Sequence, residues 1–199
     1  MTLMLLPLLA SLCSCFGLAR VQYSEPVTDD PRVSLRKVRE WGRMFVMGDV
    51  IFNVDPSNDV RHPVLLFPIP LDGGKTVPEG PTFTVGVYLW SETEELQLDV
   101  NEIEFWRERG TRLTATSFLG PFDCAASPTA EELRPHAART LQLKRGVCNF
   151  VWVKFDTTPP DPKEPFWMKI SGVSAGGRDI DLPGVAFRAA RKTESIALP

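Results

Sequence analysis

The stretch Thr82–Trp90 reads TFTVGVYLW, with a large apolar side chain at every second position. Phe83, Val85, Val87 and Leu89 share one phase; Thr84, Gly86, Tyr88 and Trp90 share the other. In an extended strand successive side chains point to opposite faces, so this spacing gathers one apolar face. A helix would scatter the same residues around its circumference.

Further strand candidates are Phe45–Val54, Val64–Pro70, Leu96–Val100, Ile103–Trp106, Arg112–Phe118, Val147–Phe155, Phe166–Ser171 and Val185–Ala190, with Val33–Val38 the candidate first strand. Turn chemistry separates them: Asp55-Pro56-Ser57-Asn58-Asp59, Asp72-Gly73-Gly74, Glu108-Arg109-Gly110, Thr157-Thr158-Pro159-Pro160 and Ala175-Gly176-Gly177. The 18 prolines in 199 residues, close to twice the usual frequency, fall mostly between the apolar segments. The phase slips between Val100 and Ile103, which predicts a turn or bulge at Asn101-Glu102. Val147–Phe155 is apolar in both phases apart from Asn149 and Lys154, as expected of a strand covered on both sides. Thr129-Ala130-Glu131-Glu132 has capping-box form with Pro135 close behind, which predicts one short helix in a loop. The pattern predicts an all-β chain, an antiparallel β-sandwich (immunoglobulin-like or related), in a single domain over residues 32–199.

Ahead of that domain the composition changes. No charge occurs between Met1 and Ala19, and Leu3–Leu12 is almost wholly apolar, the length of a signal-peptide core and about half of a membrane span. Leu12-Cys13-Ser14-Cys15 resembles a bacterial lipobox: an apolar residue, then a small residue just before the thiol that receives the lipid. The resemblance implies that residues 1–14 are a signal peptide and that Cys15 is the lipid attachment site, carrying acyl chains such as palmitate. Residues 15–31 then read as the lipidated N-terminus and tether. Phe16 in place of Asp after the cysteine implies the outer membrane, with the domain facing the periplasm. Secretion after a cut at Ala19, an inner-membrane anchor and a buried helix are the alternative readings.

With Cys13 removed and Cys15 lipidated, Cys124 and Cys148 remain, and an even pair in an oxidising compartment predicts a disulfide. Two separate buried thiols are the alternative. The net charge of −3 and the scattered Lys and Arg disfavour nucleic-acid binding.

Residue types that carry chemistry are sparse. His62 and His136 have no metal-ligand spacing around them, and no serine sits in a nucleophile elbow. Asp55-x-Ser57-x-Asp59 opens like a calcium loop but has Val60 and Leu66 where Gly and Glu are needed. Glu92, Glu94 and Glu95 read as a solvated edge. No catalytic residue, metal site or cofactor is expected. Strand phase instead directs Tyr88 and Trp90, and Trp106 beside Ile103 and Phe105, away from the core as candidate protein-binding residues. The competing reading has these rings packed beneath loops. The expected function is a non-enzymatic, membrane-tethered binding or structural module, such as an immunity or inhibitor protein or an accessory subunit, with an envelope or secreted protein as partner. A periplasmic hydrolase using loop carboxylates is the alternative, distinguished by a concave pocket gathering Asp and Glu.

Overall fold

Period-two segments bury their apolar face only by pairing edge to edge and stacking, and the chain does both. The computed structural model describes residues 16–38, 42–66, 69–70, 78–126 and 139–197, almost all in strands and their turns. A seven-stranded sheet runs in the order β10 (Leu113–Thr114), β9 (Ile103–Arg107), β14 (Phe166–Ile170), β17 (Val185–Ala197), β1 (Phe16–Val27), β5 (Val60–Leu66), β6 (Ile69–Pro70). A six-stranded sheet runs β11 (Ser117–Asp123), β13 (Asn149–Phe155), β7 (Phe83–Ser91), β4 (Val50–Pro56), β3 (Gly42–Met47), β2 (Ser34–Val38). The third sheet is β12 (Thr140–Leu143), β8 (Leu96–Asp99), β15 (Val173–Ala175), β16 (Arg178–Ile180). Among the described residues all strand pairings are antiparallel.

The two large sheets face each other across a core of phenylalanines. Phe83 of the six-stranded sheet meets Phe105 and Phe166 of the seven-stranded one at ring separations of 5.3 and 5.8 Å. Phe166 in turn stacks on Phe187 at 4.3 Å. All four rings are fully buried, and loss of any one costs about 3–5 kcal/mol. The expected sandwich is therefore present.

The predicted phase slip is a single 3₁₀ turn, Val100–Glu102, capped by Asp99, whose carboxylate accepts from the Asn101 backbone N–H at 3.0 Å. It turns β8 into β9, so Leu96 and Leu98 of the small sheet join the same core as Ile103 and Phe105.

Three expectations are corrected. Most of the stretch read as a tether is β1, placed between β17 and β5 with twelve rungs to β17, so residues 16–27 are part of the sandwich and not a linker ahead of it. Its inward residues are the small Gly17, Ala19 and Val21, and its outward ones include Leu18 and Arg20; a weak apolar face made the strand look like a linker. Phe45–Val54 is a hairpin, because Gly48-Asp49 is a two-residue loop with Gly48 at φ 58° and Met47 opposite Val50. Arg112–Phe118 crosses between sheets: the Ala115 N–H donates to Ile103 at 3.3 Å, and the next N–H, of Thr116, donates to Lys154 at 2.9 Å. The strands β12, β15 and β16 were not anticipated.

Cys124 and Cys148 are bonded, with Cα atoms 5.5 Å apart. The bridge continues the β11–β13 ladder, since the Cys124 N–H also donates to the Cys148 carbonyl at 3.0 Å. Cys13 and Cys15, the Asp72-Gly73-Gly74 turn, the Thr129–Glu132 helix and His136 lie outside the described residues. Among the described residues no helix is long and apolar enough to cross a membrane, which says nothing of strands.

Candidate binding face on the six-stranded sheet

The inner phase of β7 is buried throughout, which leaves Tyr88 and Trp90 on the outer face, half-buried. β13 repeats the arrangement, with Val151, Val153 and Phe155 in the core and Phe150, Trp152 and Lys154 outside. Register sets Phe150 opposite Tyr88 and Trp152 opposite Gly86. In β11 a bulge between Leu119 and Phe122 shifts the phase and sets Phe122, itself buried, beside the rings on that side of the sheet.

The result is a row of four rings crossing three strands. Phe122 stands edge-on to Trp152 at 5.7 Å, Trp152 edge-on to Phe150 at 5.2 Å, and Phe150 packs against Tyr88 at 4.6 Å. Beyond Tyr88 the row becomes polar. Asn53 of β4 lies opposite Tyr88, and Asp55 opposite Gly86. The Asn53 side-chain oxygen is buried and accepts no hydrogen bond from the described residues.

Electrostatics at this end follow from crowding. Burial, and then the Asp55 charge, push the Tyr88 phenol up to about 12, so it stays a hydrogen-bond donor at neutral pH. The Asp55 carboxyl is raised above its ordinary value first by desolvation and then by Asp59. Asp59 is also raised by desolvation, against the pull of Lys192 and Arg61. Such a surface can stack on a flat or apolar group, shed water, and offer a donor and acceptors at one end.

The three aromatic residues singled out by strand phase do not share a patch. Tyr88 and Trp90 leave through the outer face of the six-stranded sheet. Trp106 leaves through the outer face of the opposite sheet, where it pairs with Trp167 of β14. The Arg112 guanidinium sits 4.7 Å over its ring and bonds Glu104 at 3.1 Å, so Trp106 is already partly covered. Phe122, Phe150 and Trp152 were missed. The signal for Phe150 and Trp152 was the two-sided apolarity of Val147–Phe155, read as double burial; Phe122 depends on the bulge in β11.

The remaining candidates are tied into structure. Asn58, inside the calcium-like stretch, is buried and donates to the Ser24 hydroxyl at 2.8 Å and to the Pro160 carbonyl at 3.1 Å. Glu94 is paired with Arg178 at 2.7 Å, at the rim of a cleft of about 590 Å³ shared with Glu95 and Gln142. His62 lies on β5 opposite Arg20. A cleft of about 450 Å³ beside the small sheet gathers Asp99, Glu102, Asp179 and Asp181. There the Lys169 ammonium, hydrogen-bonded at 3.0 Å, holds the Asp181 carboxyl below its ordinary value. Among the described residues no group of three or more His, Cys, Asp or Glu is arranged to hold a metal ion. The chain matches no protein-family model, no curated protein and no solved structure.

Proposed function

We infer that this chain is a bacterial envelope lipoprotein, anchored through Cys15 at the outer membrane, that binds another protein through the outer face of its six-stranded sheet and catalyses no reaction. The observation that carries the reading is the row Trp152–Phe150–Tyr88, three half-buried rings on the outer face, backed by the buried Phe122 and ending in the Asn53–Asp55 polar edge. Aromatic anchors beside a few polar groups are the usual composition of an interface centre. The Cys124–Cys148 bridge supports an oxidising compartment. The partner is an envelope or secreted protein, of the kind an immunity protein, inhibitor or accessory subunit meets.

A photo-crosslinking residue at Trp152, in cells carrying the full chain, tests this. A discrete adduct at position 152 that is absent when the probe replaces Trp106, and lost in a Tyr88→Ala background, is the expected result. Equal labelling from both positions, or none from 152, removes the reading.

One observation favours a carboxylate-dependent hydrolase as the second reading: four carboxylates line the 450 Å³ cleft. Asp99 there already caps the 3₁₀ turn and Asp181 is held by Lys169, which leaves Glu102 and Asp179 for chemistry. If Glu102→Gln or Asp179→Asn abolishes a hydrolysis that the wild-type chain performs on envelope polymers, the second reading replaces the first.

A further inference from the structure

The two ends of the central strand trio, β17–β1–β5, differ in chemistry. At one end the strands carry ion pairs, Arg43–Glu25 at 3.4 Å and Arg188–Asp29 at 3.7 Å. Toward the other end the charges stop at a common line. Arg20 of β1 lies opposite His62 and Thr193, and Ala19 lies opposite Pro63 and Glu194. Arg61, Lys192 and Glu194 cluster there, with Arg61–Glu194 at 3.9 Å and Lys192–Glu194 at 2.7 Å. Past that line the paired residues are Phe16, Gly17 and Leu18 on β1, Leu65 and Leu66 on β5, Ile69 and Pro70 on β6, and Ser195, Ile196 and Ala197 on β17, with Val64 at the register shift between Pro63 and Leu65. None is charged, and Leu18 is 37% exposed.

This uncharged end is the one that adjoins Cys15. No free linker intervenes, because Phe16 is already paired with Ala197. From Phe16 to the first charge, Arg20, the strand rises about 13 Å. Entering at a tilt, an apolar segment of that length spans the depth of roughly 5–10 Å to which amphipathic surfaces sink at the headgroup boundary.

We propose that the uncharged end of the β17–β1–β5 trio is seated in the lipid headgroup boundary, strands pointing at the bilayer, with Arg20, Arg61 and Lys192 as the cationic belt at the phosphates. The inference rests on lipid attachment at Cys15 and specifies what that attachment does to the domain. Lys and Arg at such a belt keep their charged tips in the headgroups while their stems lie along apolar surface. The domain is then held in one orientation, where a long tether would leave it free to tumble.

The test uses the full chain, processed in a bacterial host and reconstituted in phosphatidylethanolamine–phosphatidylglycerol vesicles. Intact mass reads the acyl chains. A nitroxide on Leu18→Cys, an exposed position, is compared with one on Arg188→Cys at the opposite end, using oxygen and a water-soluble nickel complex as relaxation agents. The expected result is high oxygen and low nickel accessibility at 18, with the reverse at 188. On protein that carries the acyl mass, free nickel access at 18 overturns the seating and leaves the lipoprotein reading standing. Low access of both agents at 18 also overturns it, in favour of a covering protein or second copy. Protein without acyl mass overturns both.

Discussion

The Phe150 ring fills the space where a β-carbon on residue 86 would stand: its Cε2 atom lies 2.6 Å from that point. Gly86 is thus the floor on which the aromatic row is laid. Gly86→Ala forces the ring to move against Tyr88 and Trp152, its neighbours on either side. The expected cost is about 1–3 kcal/mol in denaturant unfolding, with a changed near-ultraviolet circular dichroism signal. Gly120→Ala should cost more, because there the new atom meets the Phe150 carbonyl oxygen at 2.7 Å and the backbone is at φ 111°. Equal stability of Gly86→Ala and wild type would mean that the ring is not confined.

Asn58→Ala should destabilise by about 1–3 kcal/mol. It strips two partners at once, the Ser24 hydroxyl and the Pro160 carbonyl, in a site where water does not reach. Chemical denaturation checks it. A Ser57→Ala control, at an exposed neighbour, should fall within about 0.5 kcal/mol of wild type.

Cys148→Ser should lower stability by about 3.5 kcal/mol under oxidising conditions, the chain-entropy value for a loop closed between residues 24 apart. The same substitution should add nothing to a sample already reduced, where both proteins have lost the bridge. Paired melts with and without reductant read the difference.

Asp55→Asn should raise the melting temperature at pH 7. The folded protein holds the Asp55 carboxyl above its ordinary 3.8 through desolvation and the Asp59 charge. The folded state therefore favours the protonated acid. That advantage is complete below about pH 3.8 and is lost as pH rises through the raised value. At neutral pH the charge is a burden that the amide lacks, and below 3.8 the variant should gain nothing. The carboxylate keeps an exposed edge although protein crowds the rest of it, so the rise is small. A variant as stable as wild type at pH 7 would contradict the sign.

Strand phase was legible wherever one phase was strongly apolar. Thr82–Trp90 aligned its inner set in the core, and the slip before Ile103 was a turn. It failed where the deciding feature was small or non-local. The inward face of β1 is Gly17, Ala19 and Val21, too weak a signal to distinguish a sheet centre from a linker. Gly48-Asp49 inside an apolar run marked a hairpin that period alone overlooks. The aromatic row needed two facts that sequence hides: the register of Phe150 on Tyr88, and the bulge that sets Phe122 beside the rings. The separation of Trp106 from Trp90 is a property of which sheet each strand enters, and adjacent segments gave no hint of it.

The twelve rungs between β1 and β17 join segments at opposite ends of the described chain. Hairpins such as β3–β4 close a loop of two residues, whereas this pair must close almost the entire domain, at a far larger loss of chain freedom. Folding should accordingly run from the hairpins outward, and pulse-labelled hydrogen exchange should protect β3 and β4 amides before those of β1 and β17. Until then the large sheet is split, with unpaired edges on β14 and β5 that invite aggregation. The last rungs to form act as a latch that can be fastened only once β17 has been delivered.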